Sequence, residues 1–219
     1  MTAVSHRTIV KRAWDWFLER TRIDFMLGKS ITNRALTPMY CLGGLTFLFF
    51  VLLAITGVML GMYYRPTPEA AYDSVQEIAV NVRYGWLIRG VHFYAANGMI
   101  ITSILHMFRV YFTAAYKKPR ELNWIVGVAL GAFTLMAGFT GYVLRWDQEG
   151  VGAAGIGLGL AASIPQVGSM ITYLFWGRNY SDTLIRFFSS HVLLLPGLLV
   201  LLMFFHFYMV RRHGIARPL

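Results

Sequence analysis

Four stretches of this chain run for 18 residues or more without a charged side chain: 35–64, 90–107, 122–144 and 187–210. A helix of about 20 apolar residues is long enough to cross the roughly 30 Å hydrocarbon core of a bilayer. Only 14% of the residues are charged and 57% are hydrophobic, where a soluble domain carries about 25% charge. The sequence therefore predicts an all-α fold, a four-helix transmembrane bundle with spans near 39–63, 84–115, 121–144 and 183–212. There is no tandem repeat or second domain, so residues 1–219 are read as one membrane domain.

A fifth uncharged run, 150–176, is a poorer candidate. Seven glycines between Gly150 and Gly177, with Pro165 near its centre, make a weak helix interior. Two short interfacial helices broken near Ser163-Ile164-Pro165 are expected instead. A fifth span would also send Arg211, Arg212 and Arg217 to the opposite side of the membrane from the other basic clusters.

The net charge of +10 would suit nucleic acid if it formed one face, but it does not. Seven basic residues precede the first span (Arg7, Lys11, Arg12, Arg20, Arg22, Lys29, Arg34). Four flank the loop after the second (Arg109, Lys117, Lys118, Arg120), and three follow the fourth. With four spans all three clusters share a side, which the positive-inside tendency makes cytoplasmic, together with both termini. In an organelle membrane the equivalent side would be stromal. Residues 1–22 lack the apolar core of a secretory signal. Val10, Trp14, Phe17 and Leu18 share a helical face there, so an amphipathic helix lying on the surface is expected.

Ionisable side chains inside a bilayer are costly and mark functional sites. The second span carries His92 and His106, the fourth His191 and His206. The intervals of 14 and 15 residues separate each pair by roughly 21–22 Å and return it to within about 40–60° of one helical face. Both spans descend, so His92 and His191 share an outer level while His106 and His206 share an inner one. Two imidazoles facing each other at each level are what bis-histidine ligation of two b hemes requires. Histidines hydrogen-bonded between helices are the alternative, and matched register on two helices disfavours it.

The other two spans repeat the interval. Gly43 and Gly57 are 14 apart, as are Gly127 and Gly141, placing a residue without Cβ at each level, where a flat porphyrin needs close approach. Arg89 precedes His92 by three residues and Arg109 follows His106 by three, where a guanidinium can pair with a heme propionate or snorkel to the interface. The single cysteine, Cys41, excludes a disulfide framework. Taken alone, it reads as a small buried hydrophobe.

With these residues in view, the sequence resembles the b6-type family of short, split cytochromes b. The resemblance runs through Tyr40-Cys41-Leu42-Gly43-Gly44-Leu45-Thr46, Tyr63-Tyr64-Arg65-Pro66-Thr67 and Gly85-Trp86-Leu87-Ile88-Arg89 with Val91-His92. It continues through His106-Met107-Phe108-Arg109-Val110-Tyr111, Lys117-Lys118-Pro119-Arg120-Glu121-Leu122 and Gly138-Phe139-Thr140-Gly141-Tyr142, ending at Gly214-Ile215 and Pro218-Leu219.

That resemblance implies the di-heme subunit of a quinol-oxidising Rieske/cytochrome b complex running a Q-cycle. Electrons would pass from an outer quinol site to an inner quinone site and contribute to the proton-motive force. It implies propionate roles for Arg89 and Arg109 and a place for Arg211 in the inner quinone and heme region. At Cys41 it implies a third, c-type heme held by one thioether bond, since no Cys-x-x-Cys-His motif is present. Implied partners are a three-helix subunit supplying a Pro-Glu-Trp-Tyr motif, a Rieske iron–sulfur protein, a c-type cytochrome or plastocyanin-type acceptor, and a second copy in a homodimer. The subunit would be inactive alone.

Two departures stand out. Arg145 occupies the place of the family's proline in Leu144-Arg145-Trp146-Asp147-Gln148, and segment 149–160 is unusually rich in Gly and Ala. A competing reading is a di-heme anchor joining the quinone pool to another oxidoreductase without a Rieske centre. A third is a small transporter or scaffold.

Overall fold

The structure, a computed structural model, describes residues 11–12, 15 and 40–214. Of the surface helix expected over residues 1–22, only Lys11, Arg12 and Asp15 are described. These three are helical and exposed; the rest of that expectation lies outside the described residues.

Among the described residues all regular structure is helical: α1 (Leu42–Gly61), α2 (Ala71–Val80), α3 (Gly85–Phe112), α4 (Glu121–Val143), α5 (Gln148–Ala162), α6 (Gly168–Phe175), α7 (Tyr180–Ser189) and α8 (Leu195–His213). Residues Ser190–Leu194 form a π turn that joins α7 to α8 as one 34-residue helix, Tyr180–His213. Among the described residues three helices are long and apolar enough to cross a membrane: α1, α4 and the joined α7–α8. The fourth expected span, α3, has 28 residues, about 42 Å of helix, but falls short in apolarity. The polar residues responsible are Arg89, His92, Asn97 and His106, two of which are the candidate ligands.

α1 packs along α3 and α4 along α8, and the two pairs meet through α3 and α4. α3 and α8, the histidine-bearing helices, make no extended contact with each other. A hydrogen bond of 2.9 Å between Thr46 and Thr102 ties the start of α1 to α3. One end of the bundle gathers the basic flanks. The Arg109 guanidinium lies 3.9 Å over the Tyr40 ring, and Arg120 donates to the His213 and Gly214 carbonyls at 3.4 Å.

The opposite end holds the densest core: Ala71, Val143, Leu144, Ala154, Leu184 and Phe187. Tyr64 donates to the Leu144 carbonyl at 2.8 Å and stacks on Phe188. Between the first and second long helices lies α2. Its Ala71, Ser74 and Ile78 are buried at helical spacing, a periodicity too short to stand out amid polar neighbours.

The 150–176 run forms two short helices, as expected, separated by a turn through Pro165. α5 has 15 residues and α6 has 8, each well short of a bilayer. Asp147 caps α5 by accepting the Gly150 amide at 2.8 Å, the favoured chemistry for a helix start. Part of the glycine content has a steric reason, because a Cβ at Gly157 would come within 2.5 Å of Phe139 and 3.0 Å of Trp176. Nothing within 4 Å requires glycine at positions 152, 155 and 159.

Candidate functional site: two histidine pairs

The structure brings the four histidines together in twos. His92 of α3 faces His191 of the π turn with ring centres 6.3 Å apart, and His106 faces His206 of α8 at 6.5 Å. The π turn is what matches the two helices. In an uninterrupted α-helix 14 residues fall about 40° short of four turns and 15 overshoot by about 60°. Between Ser190 and Leu194 the backbone hydrogen bonds widen, Leu195 N–H reaching the Ser190 carbonyl five residues back. One residue is thereby absorbed, and the 15-residue interval of α8 behaves like the 14-residue interval of α3. Pro196, which has no N–H for the Val192 carbonyl, adjoins this widened turn.

Each ring lies against a glycine of the neighbouring helix. A Cβ on Gly57 would lie 3.3 Å from Cε1 of His92, and one on Gly43 would lie 3.1 Å from Cε1 of His106. On the other pair the distances are 2.6 Å from Gly141 to His191 and 3.5 Å from Gly127 to His206. The bare backbone therefore makes room for the imidazoles within each helix pair, α1 on α3 and α4 on α8. Space for a plate lies between the two pairs, where α3 and α8 stand apart.

These residues fit a heme at each level. Ring centres 6.3 and 6.5 Å apart leave room for one metal between two facing imidazoles, so His92 with His191 and His106 with His206 would each hold a heme iron. At the His106–His206 level a cavity of about 280 Å³ opens between the rings, with Gly43, Gly127, Arg109 and Arg120 in its lining. Nε and Nη2 of Arg109 are buried there without a partner. A buried guanidinium lacking an acceptor calls for an anion such as a propionate.

The remaining candidates are placed as follows. Cys41 is exposed, at the N-cap position of α1 and two residues from Gly43. Arg89 is half-buried on the first turns of α3. Arg211 is half-buried in the last turn of α8 and does not line the cavity. Arg120, one of the basic residues the sequence places at this surface, does line it. Arg145 makes an ion pair with Asp147 and a longer one, 3.4 Å, with Glu149, to which the Tyr142 hydroxyl donates at 2.8 Å. The sequence reading also passes over two hydroxyls. Oγ1 of Thr56 lies 2.8 Å from Nδ1 of His92, and Oγ1 of Thr140 lies 3.1 Å from Nδ1 of His191.

The chain is thus an all-helical integral membrane protein with facing histidine pairs at two levels of its bundle. The family described as Cytochrome b/b6/petB matches residues 27–214, and the chain belongs to that family. It is 43% identical over 216 residues to the cytochrome b6 of Acaryochloris marina (strain MBIC 11017), covering 96% of this chain and 100% of that protein. A solved chain of "Hyperthermophilic respiratory Complex III" superposes with a TM-score of 0.77 at 33% identity over 93% of this chain. This chain spans 56% of that one. Heme b is the prosthetic group the family implies.

Proposed function

We propose that this chain is the di-heme cytochrome b subunit of a quinol-oxidising Rieske/cytochrome b complex. The observation that supports it best is the ring-centre separation of 6.3 and 6.5 Å in two histidine pairs at two levels of one bundle. In this reading four helices span the membrane, with both termini on the cytoplasmic side. His92 and His191 hold a heme near the outer surface, and His106 and His206 hold one near the inner surface. Bound heme supplies a one-electron carrier at each level.

The chain's own residues do the rest. The imidazoles fix the two carriers one above the other, Arg109 and Arg89 offer guanidinium groups to propionates, and the glycines keep the rings at bonding distance. The proposed role is to carry electrons from an outer quinol site to an inner quinone site, contributing to the proton-motive force. Arg211 is assigned to the inner quinone region and Cys41 to a covalently held third heme. A three-helix subunit bearing Pro-Glu-Trp-Tyr, a Rieske protein, a c-type cytochrome and a second copy of the chain are the proposed partners. The isolated chain would bind heme without oxidising quinol.

Purification of the intact complex from its membrane tests this. Two b hemes per chain and a co-purifying Rieske subunit are expected. Absence of b-type absorbance would overturn the reading, and two hemes without any Rieske partner would favour the anchor role instead.

A further inference from the structure

The corner between α4 and α5 gathers Tyr142, Arg145, Asp147 and Glu149 within a few residues. Trp146, between them, has a φ of 51°, in the left-handed region that bulky residues avoid. This turn sets the first residues of α5 beside the end of α4.

The two carboxylates are used differently. Asp147 accepts the Gly150 amide and pairs with Arg145, so it is occupied in capping α5. Glu149 accepts the Tyr142 hydroxyl at 2.8 Å and lies 3.4 Å from the Arg145 guanidinium. Both contacts are to Oε2, and the side chain is 68% exposed. The carboxylate is thus bonded inward through one oxygen while it reaches water through the rest.

Tyr142 follows Gly141, the residue that lies against His191. One residue is about 1.5 Å of helix rise, so Tyr142 stands at the level of the His92–His191 pair. A phenol there, donating to an exposed carboxylate, makes a two-member path from that level to water. Proton transfer needs such contacts, within about 2.6–3.2 Å between heavy atoms.

We propose that Tyr142 and Glu149 form a proton relay for the outer quinol site, with Arg145 holding the carboxylate in place. This rests on the quinol-oxidising reading of the chain. In the relay step a quinol hydroxyl gives its proton to the Tyr142 oxygen as the Tyr142 proton moves to Oε2 of Glu149. The phenol is unchanged at the end, and the carboxylate has become a carboxylic acid, which releases the proton to outer water. The accompanying electron passes to the carrier at His92 and His191. The second electron and the second proton of the quinol leave on the side of the Rieske partner. Glu149 acts through Tyr142 and does not itself touch the quinol.

The test is steady-state quinol oxidation by the purified complex across a range of pH, with Tyr142→Phe, Glu149→Gln and the two combined. Each single variant should lower kcat by roughly 100-fold, the low end for a positioned proton acceptor. KM, heme content and Rieske content should stay unchanged. The double variant should be no slower than either single one, because two members of one path fail together. A carboxylate accepts a proton only when ionised, so the wild-type rate should fall on the acid side. Glu149→Gln should lose that fall and Glu149→Asp should keep it. The groups facing Glu149 are Tyr142 of α4 and Arg145 and Asp147 of the turn; α6, which also packs on α5, has Tyr173 as its one titratable side chain. Glu77→Gln, which removes another exposed carboxylate paired with an arginine, Arg65, should change none of these values.

A normal rate and pH profile in Glu149→Gln, or losses that multiply in the double variant, would overturn the proposal. A wild-type complex that carries two hemes but oxidises no quinol would overturn the quinol-oxidising reading and the relay with it. Should Tyr142→Phe fail to assemble, Glu149→Gln and Glu149→Asp decide. An acid-side fall kept in the aspartate variant and lost in the glutamine variant supports the relay, and equal profiles refute it.

Discussion

A Cβ placed on Gly141 would lie 2.6 Å from Cε1 of His191. No pair of carbon atoms tolerates that approach, and the ring is fixed from behind by Thr140 and the π turn. Glycine at 141 is therefore a condition for His191 to point between the helix pairs.

Gly141→Ala should accordingly displace the ring and lower heme occupancy at the His92–His191 level. Overpacking of this kind costs about 1–3 kcal/mol, more than the roughly 1 kcal/mol that alanine gains in helix propensity. Gly44→Ala, with nothing within 4 Å of the added carbon, should leave both hemes in place. Pyridine hemochrome assay of the two purified variants makes the comparison.

His106→Leu should leave one b heme of two, because one axial bond is lost at that level only. His213, beyond the ring pairs at the end of α8, should be replaceable by Leu without heme loss. Retention of both hemes in the His106 variant, read from reduced-minus-oxidised spectra, would break the pairing.

Acid should loosen the start of α5. Burial opposes ionisation of Asp147, but the Gly150 amide and the Arg145 guanidinium outweigh it and hold the carboxyl below its usual range. A carboxyl lowered on folding stabilises fully above its unfolded value, about 3.9. That contribution is lost as pH falls through the lower folded value. Amide exchange of α5, corrected for its intrinsic rate at each pH, should thus be steady near neutrality and accelerate below about pH 4. Asp147→Ala should accelerate it near neutrality, by the ~1 kcal/mol typical of a lost cap, and should change it little in acid, where the wild-type contribution is already lost. Asp147→Asn should keep the cap and remove the pH dependence.

If Cys41 holds a heme by a thioether, that heme survives denaturation. A denaturing gel stained for heme peroxidase activity should then show a band at the chain's 24.9 kDa. The band should vanish in Cys41→Ser. A heme-free wild-type band would remove the third heme from the proposal while leaving the histidine pairs untouched.

Sequence alone determined the apolar lengths, the scarcity of ionisable groups within them, and the 14- and 15-residue intervals of histidine and glycine. Those are one-dimensional properties. Bilayer thickness sets the first, desolvation cost the second, and helix rise the vertical spacing. Break residues such as Pro165 likewise showed that 150–176 would not be one span.

What sequence left open was rotation and partnership. A uniform helical wheel puts the ligands of α8 out of step with those of α3, and only the π turn at Ser190–Leu194 removes the discrepancy. Spacing put the glycines at the porphyrin levels but did not show that each also lies against an imidazole edge, because which helix neighbours which is decided by packing. For the same reason Thr56 and Thr140 looked like ordinary helix residues. A threonine bonded to its own helix becomes an acceptor for a histidine only when another helix brings the ring to within about 3 Å.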